Sequence, residues 1–421
     1  MIELLALSWS FVQQRTVIEL VGFLWFLLVF DIPRYFLGFI SVFITRRLTS
    51  GRAQATHWPG SASVLIAAHN EEASIERCVR SLRAQQGRRL EIICVDDGST
   101  DATHRIMQQL SEQGLVDRVL RVTDRGGKSA ALNLAATMAR GDALVVVDCD
   151  CVFEEHAVER LLAPLNDPRV GAVAGSVLVR NAQSSVLASI QAVEYLFSVH
   201  LGRTLLDYFD LIVCVSGAIG AFRREAWQML GGMDVGPGED FDITLRLRQA
   251  GYRIRFAGDA VAWTAVPERL DAFIGQRRRW ERDAVRIRLR KFSFTLNPFD
   301  RRFRLAEALH QIEFMVYSVL SGILFLAYVV WLATEVPELL PVLLLITTLA
   351  IIVLDAITLL VAAFSLRRPA YLWLLPFVPL FAPFQFLIMR NARLLAYAEE
   401  LVFSTSHHDN FVPAKVRRWH I

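Results

Sequence analysis

The chain contains few cysteines, and their spacing gives neither a disulfide framework nor a metal site. Five occur among 421 residues, with no Cys-x-x-Cys pair and no histidine at metal-ligand spacing. Cys149 and Cys151 could form a disulfide or a pair of ligands, but alternate residues of an extended segment point to opposite sides. We therefore predict free thiols, the usual state in a reducing cytoplasm.

Excess charge of one sign is also lacking. The formal net charge is only +3, so global basicity gives no argument for nucleic acid and no nucleic-acid partner is predicted. Hydrophobic residues make up 54% of the chain, which is too apolar for one soluble domain, while the middle of the chain is too charged for a pure membrane bundle. The composition therefore predicts an integral membrane protein with one soluble domain.

Long apolar runs lie on both sides of the charged middle. Residues 17–45 are long enough to cross a bilayer core of roughly 30 Å at about 1.5 Å per helical residue. Arg46 and Arg47 follow this run, and by the positive-inside rule they place the next region in the cytoplasm. Residues 314–334 and 339–364 predict two further spans.

A last apolar run, residues 370–389, contains Pro376, Pro379 and Pro383. It could be a broken span or a re-entrant element, since irregular backbone at membrane depth requires protein or water to satisfy it. A full crossing would place the basic tail, with Lys415, outside the cell, against the charge rule. Both interpretations stay open.

A basic stretch precedes the apolar run that begins near residue 314. It could be a solvated helix face, a nucleic-acid patch or an interfacial helix, and its place directly before a membrane span favours the interfacial helix. Its basic residues are Arg282, Arg286, Arg288, Arg290, Lys291, Arg301, Arg302 and Arg304. The predicted segments are residues 1–50 (N-terminal membrane segment), 51–290 (cytosolic domain), 291–313 (interfacial basic amphipathic segment), 314–395 (C-terminal transmembrane bundle) and 396–421 (basic tail).

The sequence of the soluble domain predicts alternating strands and helices. Residues 63–68, 91–95 and 143–147 are short apolar runs, each ending in polar residues, and residues 72–84 and 129–140 are helical in pattern. This alternation predicts a parallel sheet covered on both faces. Ligands of such sheets bind beyond the carboxyl ends of the strands, where the polar residues of this chain fall.

Three groups with acidic residues occupy those strand ends, namely Asn70 with Glu71, Asp96 with Asp97, and Asp148 with Asp150. Asp148 and Asp150 suit Mg²⁺ or Mn²⁺, which take one or two carboxylates together with phosphate oxygens, although such a pair is often only a turn cap. Asp96 and Asp97 could be turn and helix-cap residues. They are also well placed to accept hydrogen bonds from a uracil imide and a ribose.

Lys128 follows two glycines at the start of a predicted helix. The earlier glycine of a P-loop would fall at Val122, so that motif is absent. A lysine at a helix start can still contact phosphate through its charge and the helix N-terminus.

Two further groups lie between the strand ends and the second membrane region. Glu239 and Asp240 precede the predicted helix 241–250, where a capping role is the alternative to catalysis by Asp240 as general base. The group Gln276, Arg279 and Trp280 could belong to an ordinary surface helix with an interfacial tryptophan. An indole face also suits a pyranose, and an adjacent arginine can pair with a diphosphate.

Together these residues resemble the processive membrane members of glycosyltransferase family 2, the poly-N-acetylglucosamine, chitin, hyaluronan and cellulose synthases. The family's aspartate signatures are matched by Asp96 and Asp97, Asp148 and Asp150, and Asp240, and its Q-x-x-R-W motif by Gln276, Arg279 and Trp280. The resemblance covers roughly residues 60–290. It implies an α/β fold of the GT-A (Rossmann-like) type between transmembrane helices, a UDP-sugar donor, a divalent metal, and a β-linked polysaccharide extruded through the membrane.

The resemblance also assigns roles to single positions. Asp97 would contact uracil, Asp150 would hold metal and diphosphate, Asp240 would be the base with Glu239 beside it, and Trp280 would stack on the acceptor sugar. The residues expected to bind the donor are Asn70, Glu71, Asp96, Asp97, Lys128 and Asp148.

The expected function is transfer of a sugar, N-acetylglucosamine as the first choice, to a growing polysaccharide at the inner (plasma) membrane, with the catalytic domain in the cytoplasm. The few spans leave room for a small membrane subunit or a homo-oligomer. A transferase that adds one sugar to a lipid-linked acceptor is the main alternative. A transporter or receptor is the non-enzyme alternative, but intramembrane charges are sparse, with Asp31 and Asp355 the main cases.

Overall fold

A computed structural model describes residues 9–11, 13–37, 57–87, 89–413 and 416. Part of the predicted first span, residues 38–45, lies outside the described residues together with Arg46, Arg47 and Lys415. The described part of that span is a helix over Val17–Phe26 that continues as a π-helix over Leu27–Leu37.

One eight-stranded sheet forms the centre of the soluble domain. Its strands are β1 (Ala62–Ala68), β2 (Glu91–Asp97), β3 (Arg118–Val122), β4 (Ala143–Asp148), β5 (Val152–Phe153), β6 (Val170–Val179), β7 (Ile219–Arg223) and β8 (Arg253–Thr264). Their order across the sheet is β3-β2-β1-β4-β7-β6-β8-β5.

Helices fill the intervals between strands and follow the last of them. They are α1 (Val17–Phe26), α2 (Ile75–Arg83), α3 (Thr103–Glu112), α4 (Lys128–Met138), α5 (Ala157–Leu162), α6 (Val186–Glu194), α7 (Arg203–Tyr208), α8 (Arg224–Met229), α9 (Glu239–Gln249), α10 (Leu270–Arg286), α11 (Leu305–Glu335), α12 (Leu340–Ser365) and α13 (Pro369–Leu401). Shorter stretches are the π-helices Tyr195–Gly202 and Ile287–Lys291 and the 3₁₀-helices Ala163–Asn166, Ser293–Leu296 and Thr405–His408.

The sheet is buried on both faces, as the continuous apolar runs predict. Successive side chains of a strand point to opposite faces, and in β1 Val64 and Ile66 join one apolar cluster while Leu65 joins the other. Val145 and Leu144 of β4 divide in the same way. Burial of both faces gives the strands their main stabilisation, since the hydrophobic effect scales with the apolar area removed from water.

The prediction of a wholly parallel sheet is wrong. Strands β3, β2, β1 and β4 are parallel, but β7 runs antiparallel to both β4 and β6. The long helical stretch from Val186 to Tyr208 separates β6 from β7, and β7 begins at the same end of the sheet at which β6 ends. A run of apolar residues carries no information on strand direction, so this reversal could not be read from the sequence.

Among the described residues, three helices are long and apolar enough to cross a membrane, namely α11, α12 and α13. Helix α11 begins at Leu305, so the end of the predicted interfacial segment 291–313 belongs to it. The start of that segment consists of turns and the 3₁₀-helix Ser293–Leu296.

Helix α13 contacts the soluble domain along its length. Arg368, just before the helix, pairs with Glu154 at 2.5 Å, and near the other end Glu399 pairs with Arg278 of α10. Its first turns, over Pro369–Phe377, are 3₁₀-helical and accommodate a proline, which cannot donate a backbone hydrogen bond. Both ends of α13 are therefore joined to the soluble domain.

The first part of the basic stretch beyond Trp280 is internal, whereas Arg301, Arg302 and Arg304 are exposed, and the interfacial role of residues 291–313 stays a prediction. Arg286 and Arg290 are almost fully buried. Arg286 donates to the carbonyl of Pro237 at 2.6 Å, and Arg290 pairs with the buried Glu400 at 3.1 Å. Partners more than a hundred residues away in the chain decide this burial for Arg290, so local sequence pattern does not reveal it.

All five cysteines are free, as predicted. Four of them, Cys78, Cys94, Cys149 and Cys151, are buried. Burial raises the pKa of the Cys94 thiol to about 12, so this side chain acts as a small apolar group.

Candidate active site

A cleft of about 760 Å³ opens at the carboxyl end of β4. Eight of the site residues predicted from the sequence line it, namely Lys128, Asp148, Asp150, Glu239, Asp240, Gln276, Arg279 and Trp280. They come from the end of β4, the starts of α4 and α9, and helix α10. The volume lies in the range of ligand-binding pockets.

Lys128 links the two acidic groups of the cleft. Its Nζ lies 2.6 Å from Oδ1 of Asp148 and 3.3 Å from Oε1 of Glu239. Burial disfavours the charged form of Lys128, but the negative charges of Asp148 and Glu239 outweigh this effect. They hold the pKa of Lys128 well above its usual value. The cleft therefore holds a fixed positive charge between the two acidic groups.

Asp150 is held by a neighbouring strand. The hydroxyl of Thr264, the last residue of β8, donates to Oδ2 of Asp150 at 3.1 Å. Burial raises the pKa of Asp150, and the charge of Asp148 raises it further. The pKa of Glu71 is also raised by burial and by the charges of Asp150 and Asp148. Carboxylates that repel one another in this way are favourable ligands for a cation.

The donor set fits a hard divalent ion. Among the described residues, no group of three His, Cys, Asp or Glu side chains is arranged to hold a metal alone. Mg²⁺ and Mn²⁺ do not require such a group, because they complete their coordination with water and phosphate oxygens. Asp150, with Asp148 beside it, supplies the one or two carboxylates that such a site uses.

Glu239 and Asp240 form the first turn of α9. Gly236 and Gly238 precede it in the left-handed region, with φ of 73° and 81°, and a side chain on Gly236 would collide with the carbonyl oxygen of Phe411. Oδ1 of Asp240 accepts from the amide of Phe241 at 2.7 Å, and Oδ2 accepts from the amide of Gly217 at 3.3 Å. These bonds fix the carboxylate at the cleft.

Glu239 is more deeply buried than its neighbour. Burial raises the pKa of Glu239 to about 7, against the opposing charge of Lys128 and with a further contribution from Asp240. Its carboxyl group therefore changes charge near neutral pH.

Helix α10 carries the aromatic side of the cleft. The indole of Trp280 is 47% exposed and faces the cleft together with Arg279. Oε1 of Gln276 is buried and has no hydrogen-bond partner among the described residues. A buried amide oxygen without a partner is costly, and a ligand hydroxyl or amide in this cleft would satisfy it.

Four predicted donor residues do not line the cleft, namely Asn70, Glu71, Asp96 and Asp97. Asp97 accepts from the amides of Gly126 and Gly127 at 2.7 and 2.8 Å, and so shapes the loop before Lys128. Asp96 accepts from the amide of Ser99 at 2.9 Å. Their contacts are those of loop-shaping residues, and donor binding by them stays a prediction.

Asn70 and Glu71 lie in the loop after β1. Asn70 has φ of 58° and accepts from the amide of Thr100 at 2.8 Å, which ties two loops at the sheet edge together. The amide of Glu71 donates to Oγ1 of Thr103 at 2.7 Å. Glu71 is close enough to Asp148 and Asp150 for their charges to affect it.

Several cleft residues were missed from the sequence. Thr264 is the first polar residue after the apolar run 260–263 at the end of β8, which is the same kind of signal that Asp148 gives after its apolar run. Asp409 and Phe411 also line the cleft. The Phe411 ring lies 4.6 Å from the guanidinium carbon of Arg125, and Asp409 pairs with Arg282 at 3.4 Å. No local signal predicts contacts over such sequence distances.

Residues 63–230 match the family model described as glycosyl transferase family 2. Poly-beta-1,6-N-acetyl-D-glucosamine synthase of Staphylococcus aureus (strain COL) is 30% identical over 246 residues, which cover 57% of this chain and 58% of that protein. Probable glycosyltransferase YdaM of Bacillus subtilis (strain 168) is 35% identical over 230 residues, 52% of this chain and 54% of that protein. The chain thus spans little more than half the length of these curated relatives.

Among solved structures, the mannosyltransferase PcManGT from Pyrobaculum calidifontis, in complex with GDP-Man and Mn²⁺, matches 87% of this chain and 95% of its own. The TM-score is 0.56 at 20% sequence identity. This likeness concerns the fold, and it agrees with an α/β domain of the GT-A type.

Proposed function

We propose that this chain, which carries a glycosyl transferase family 2 domain, moves a sugar from a UDP-sugar to the non-reducing end of a growing β-linked polysaccharide at a membrane. The observation that carries the proposal is the meeting of three groups in one cleft: the Asp148 and Asp150 pair, the Glu239 and Asp240 pair, and the Gln276 to Trp280 turn. The last of these lies on α10, which packs against the apolar helix α13.

The donor diphosphate would lie near Lys128 and the strand end of β4. A divalent cation, Mg²⁺ or Mn²⁺, held by Asp150 and Asp148 would supply charge neutralisation to the leaving diphosphate. PcManGT was solved with Mn²⁺ and a nucleotide sugar, and the same classes of ligand are proposed for this chain. Arg279, which lines the cleft from α10, would add to this positive charge.

Asp240 would act as the general base. It would take the proton of the acceptor hydroxyl as that oxygen attacks the anomeric carbon from the face opposite the diphosphate, which inverts the configuration. Its two backbone hydrogen bonds hold the carboxylate in place, so that little reorganisation is needed during the reaction. Trp280 would hold the acceptor ring by stacking.

N-acetylglucosamine is the proposed sugar, because the similar Staphylococcus aureus protein is named as a poly-N-acetylglucosamine synthase. The proposed place is the cytoplasmic side of the inner (plasma) membrane, with multi-pass anchoring through α11 and α12. A small membrane subunit or a second copy is the proposed means of completing an export path.

One observation favours the alternative of transfer to a lipid-linked acceptor. A second cavity, of about 410 Å³, lies between the soluble domain and the apolar helices. Its lining combines aromatic side chains such as Phe381 and Phe386 with charged side chains of both signs, namely Arg288, Arg390, Arg393, Asp31, Glu194, Glu313 and Asp355. Incubation of membranes with each UDP-sugar, followed by sizing of the product, separates the two functions. A polymer supports the first, and a single sugar on a lipid supports the second.

Replacement of Trp280 by alanine should lower polymer synthesis steeply while UDP-sugar hydrolysis persists. The change removes a stacking surface worth on the order of 1 kcal/mol, whereas hydrolysis needs only the donor site and water. UDP release and polymer are measured in parallel. The matched control is Trp331→Ala, a substitution on α11 that is remote from the cleft. This variant should still make polymer. Wild-type polymer yield from Trp280→Ala would exclude the stacking role.

Donor affinity should increase as the pH is lowered through about 7. Below that pH Glu239 is neutral, so one negative charge beside the constant positive charge of Lys128 is removed and the diphosphate is repelled less; we expect a gain in affinity of roughly threefold. The donor diphosphate does not titrate in this range. Affinity for the UDP-sugar is measured at pH 6 and pH 8 with saturating Mg²⁺. Glu239→Gln should bind the UDP-sugar with the higher affinity at both pH values. If the affinity of this variant depends on pH as that of the wild type does, the explanation is contradicted.

A further inference from the structure

We propose that Arg277 and Glu194 are positioning residues for Trp280. They hold the indole ring so that only one of its faces is available to a sugar. The inference rests on the proposed function, in which Trp280 is the acceptor platform. In this proposal Arg277 has a role different from those of Arg278 and Arg279, which follow it in the chain.

Three consecutive arginines on a helix point about 100° apart, and here each has different surroundings. Arg277 is only 8% exposed, and its guanidinium donates to Oε2 of the buried Glu194 at 2.8 Å. Arg278 points toward α13 and pairs there with Glu399. Of the three, only Arg279 lines the cleft.

The guanidinium of Arg277 covers one face of the tryptophan ring. Its central carbon lies 4.4 Å from the centre of the Trp280 indole. The rings of Phe273 and Tyr195 lie 5.0 and 5.8 Å from the same carbon, so the guanidinium is enclosed by aromatic groups. Such contacts are attractive and restrict the orientation of both groups. The exposed part of the indole then faces the cleft.

Glu194 fixes the guanidinium in turn. It lies at the end of α6, and burial raises the pKa of its carboxyl group, while the charge of Arg277 opposes the rise. A buried carboxylate of this kind has a strong preference for its charged partner. Tyr195, the next residue, lines the cleft. Through Glu194, helix α6 therefore anchors the guanidinium that covers the indole.

The alternative is that Arg277 binds the donor diphosphate directly. Its side chain is buried against α6 and does not line the described cleft. A donor role would require the guanidinium to leave both Glu194 and the indole. The two roles make different kinetic predictions, because a positioning residue affects the acceptor and a diphosphate ligand affects the donor.

The decisive variant is Arg277→Lys, with Arg278→Lys as its matched control. Lysine keeps the charge for Glu194 but lacks the planar guanidinium that stacks on the ring. With UDP-N-acetylglucosamine as donor and a β-linked N-acetylglucosamine oligomer as acceptor, Arg277→Lys should raise the acceptor KM about five- to tenfold. It should also raise UDP released per sugar incorporated. The donor KM should stay unchanged, and Arg278→Lys should match the wild type.

A double variant tests whether the effect passes through the ring. In a Trp280→Ala background, Arg277→Lys should have no further effect on the acceptor KM, because the ring it positions is absent. If Arg277→Lys unfolds the chain, Glu194→Leu with Arg277→Met removes both buried charges and replaces them with apolar groups. That variant should fold and show the same acceptor defect.

Three results would overturn the inference: a raised donor KM in Arg277→Lys, equal effects of Arg277→Lys and Arg278→Lys, or additive effects of Arg277→Lys and Trp280→Ala. Failure of the proposed function looks different. In that case the wild-type chain transfers no sugar to the oligomer, whereas failure of the inference leaves wild-type transfer intact.

Discussion

Asp240→Asn should lower the rate of sugar transfer about 100-fold or more, while UDP binding stays close to that of the unchanged chain. Asparagine keeps the shape of the side chain and one acceptor for the backbone amides of Gly217 and Phe241, but it cannot take a proton. The transfer rate and UDP affinity are measured on the same preparation. The change therefore isolates proton transfer from binding.

Glu239→Gln is the informative comparison for this prediction. Glu239 is the adjacent carboxyl group, and its pKa of about 7 would also suit a base. If Asp240 is the base, Glu239→Gln keeps substantial transfer. Loss of transfer in Glu239→Gln together with near-normal transfer in Asp240→Asn would move the base to Glu239.

Asp150→Ala should abolish the metal-dependent part of UDP binding. Asp150 is the carboxylate that the Thr264 hydroxyl holds at the strand end, and Mg²⁺ and Mn²⁺ bind nucleotide sites through few carboxylates, so loss of one is severe. We expect a fall in UDP affinity of about tenfold or more in the presence of metal. Calorimetric titration with UDP is carried out with Mn²⁺ and again with a chelator.

The control is Asp167→Ala, the same substitution at a turn where the carboxylate pairs with Arg169. This variant should bind UDP as the wild type does and lose affinity on chelation to the same extent. If Asp150→Ala also keeps wild-type affinity and chelator sensitivity, the metal is bound elsewhere.

The sequence predicted the half of the soluble domain that carries strong local signals. β1, β2 and β4 are uninterrupted apolar runs that end in polar residues, and their observed bounds differ from the predicted ones by one or two residues. Helix α9 begins at Glu239, directly after two glycines with positive φ. These features depend on neighbours in the chain, so pattern and spacing were sufficient.

What the sequence could not reveal depends on distant contacts. The antiparallel direction of β7 follows from the route taken by the chain between β6 and β7. The local sequence predicts that Arg290 lies on the surface, but its guanidinium is buried in an ion pair with Glu400, which is distant in the chain. The same applies to the contacts of Asp97, whose two carboxylate oxygens accept from the amides of Gly126 and Gly127 in the loop before Lys128. Donor binding by Asp97 stays a prediction.

The position of Asp409 and Phe411 in the cleft wall also bears on the order in which the protein is made. A chain emerges from the ribosome beginning with its N-terminus, so residues 128, 240 and 280 appear long before residues 409 and 411. All three apolar helices, α11 to α13, are synthesised in the interval. The cleft thus acquires its last lining residues only after α11 to α13 have been synthesised, and a nascent chain that still lacks these helices also lacks a complete cleft.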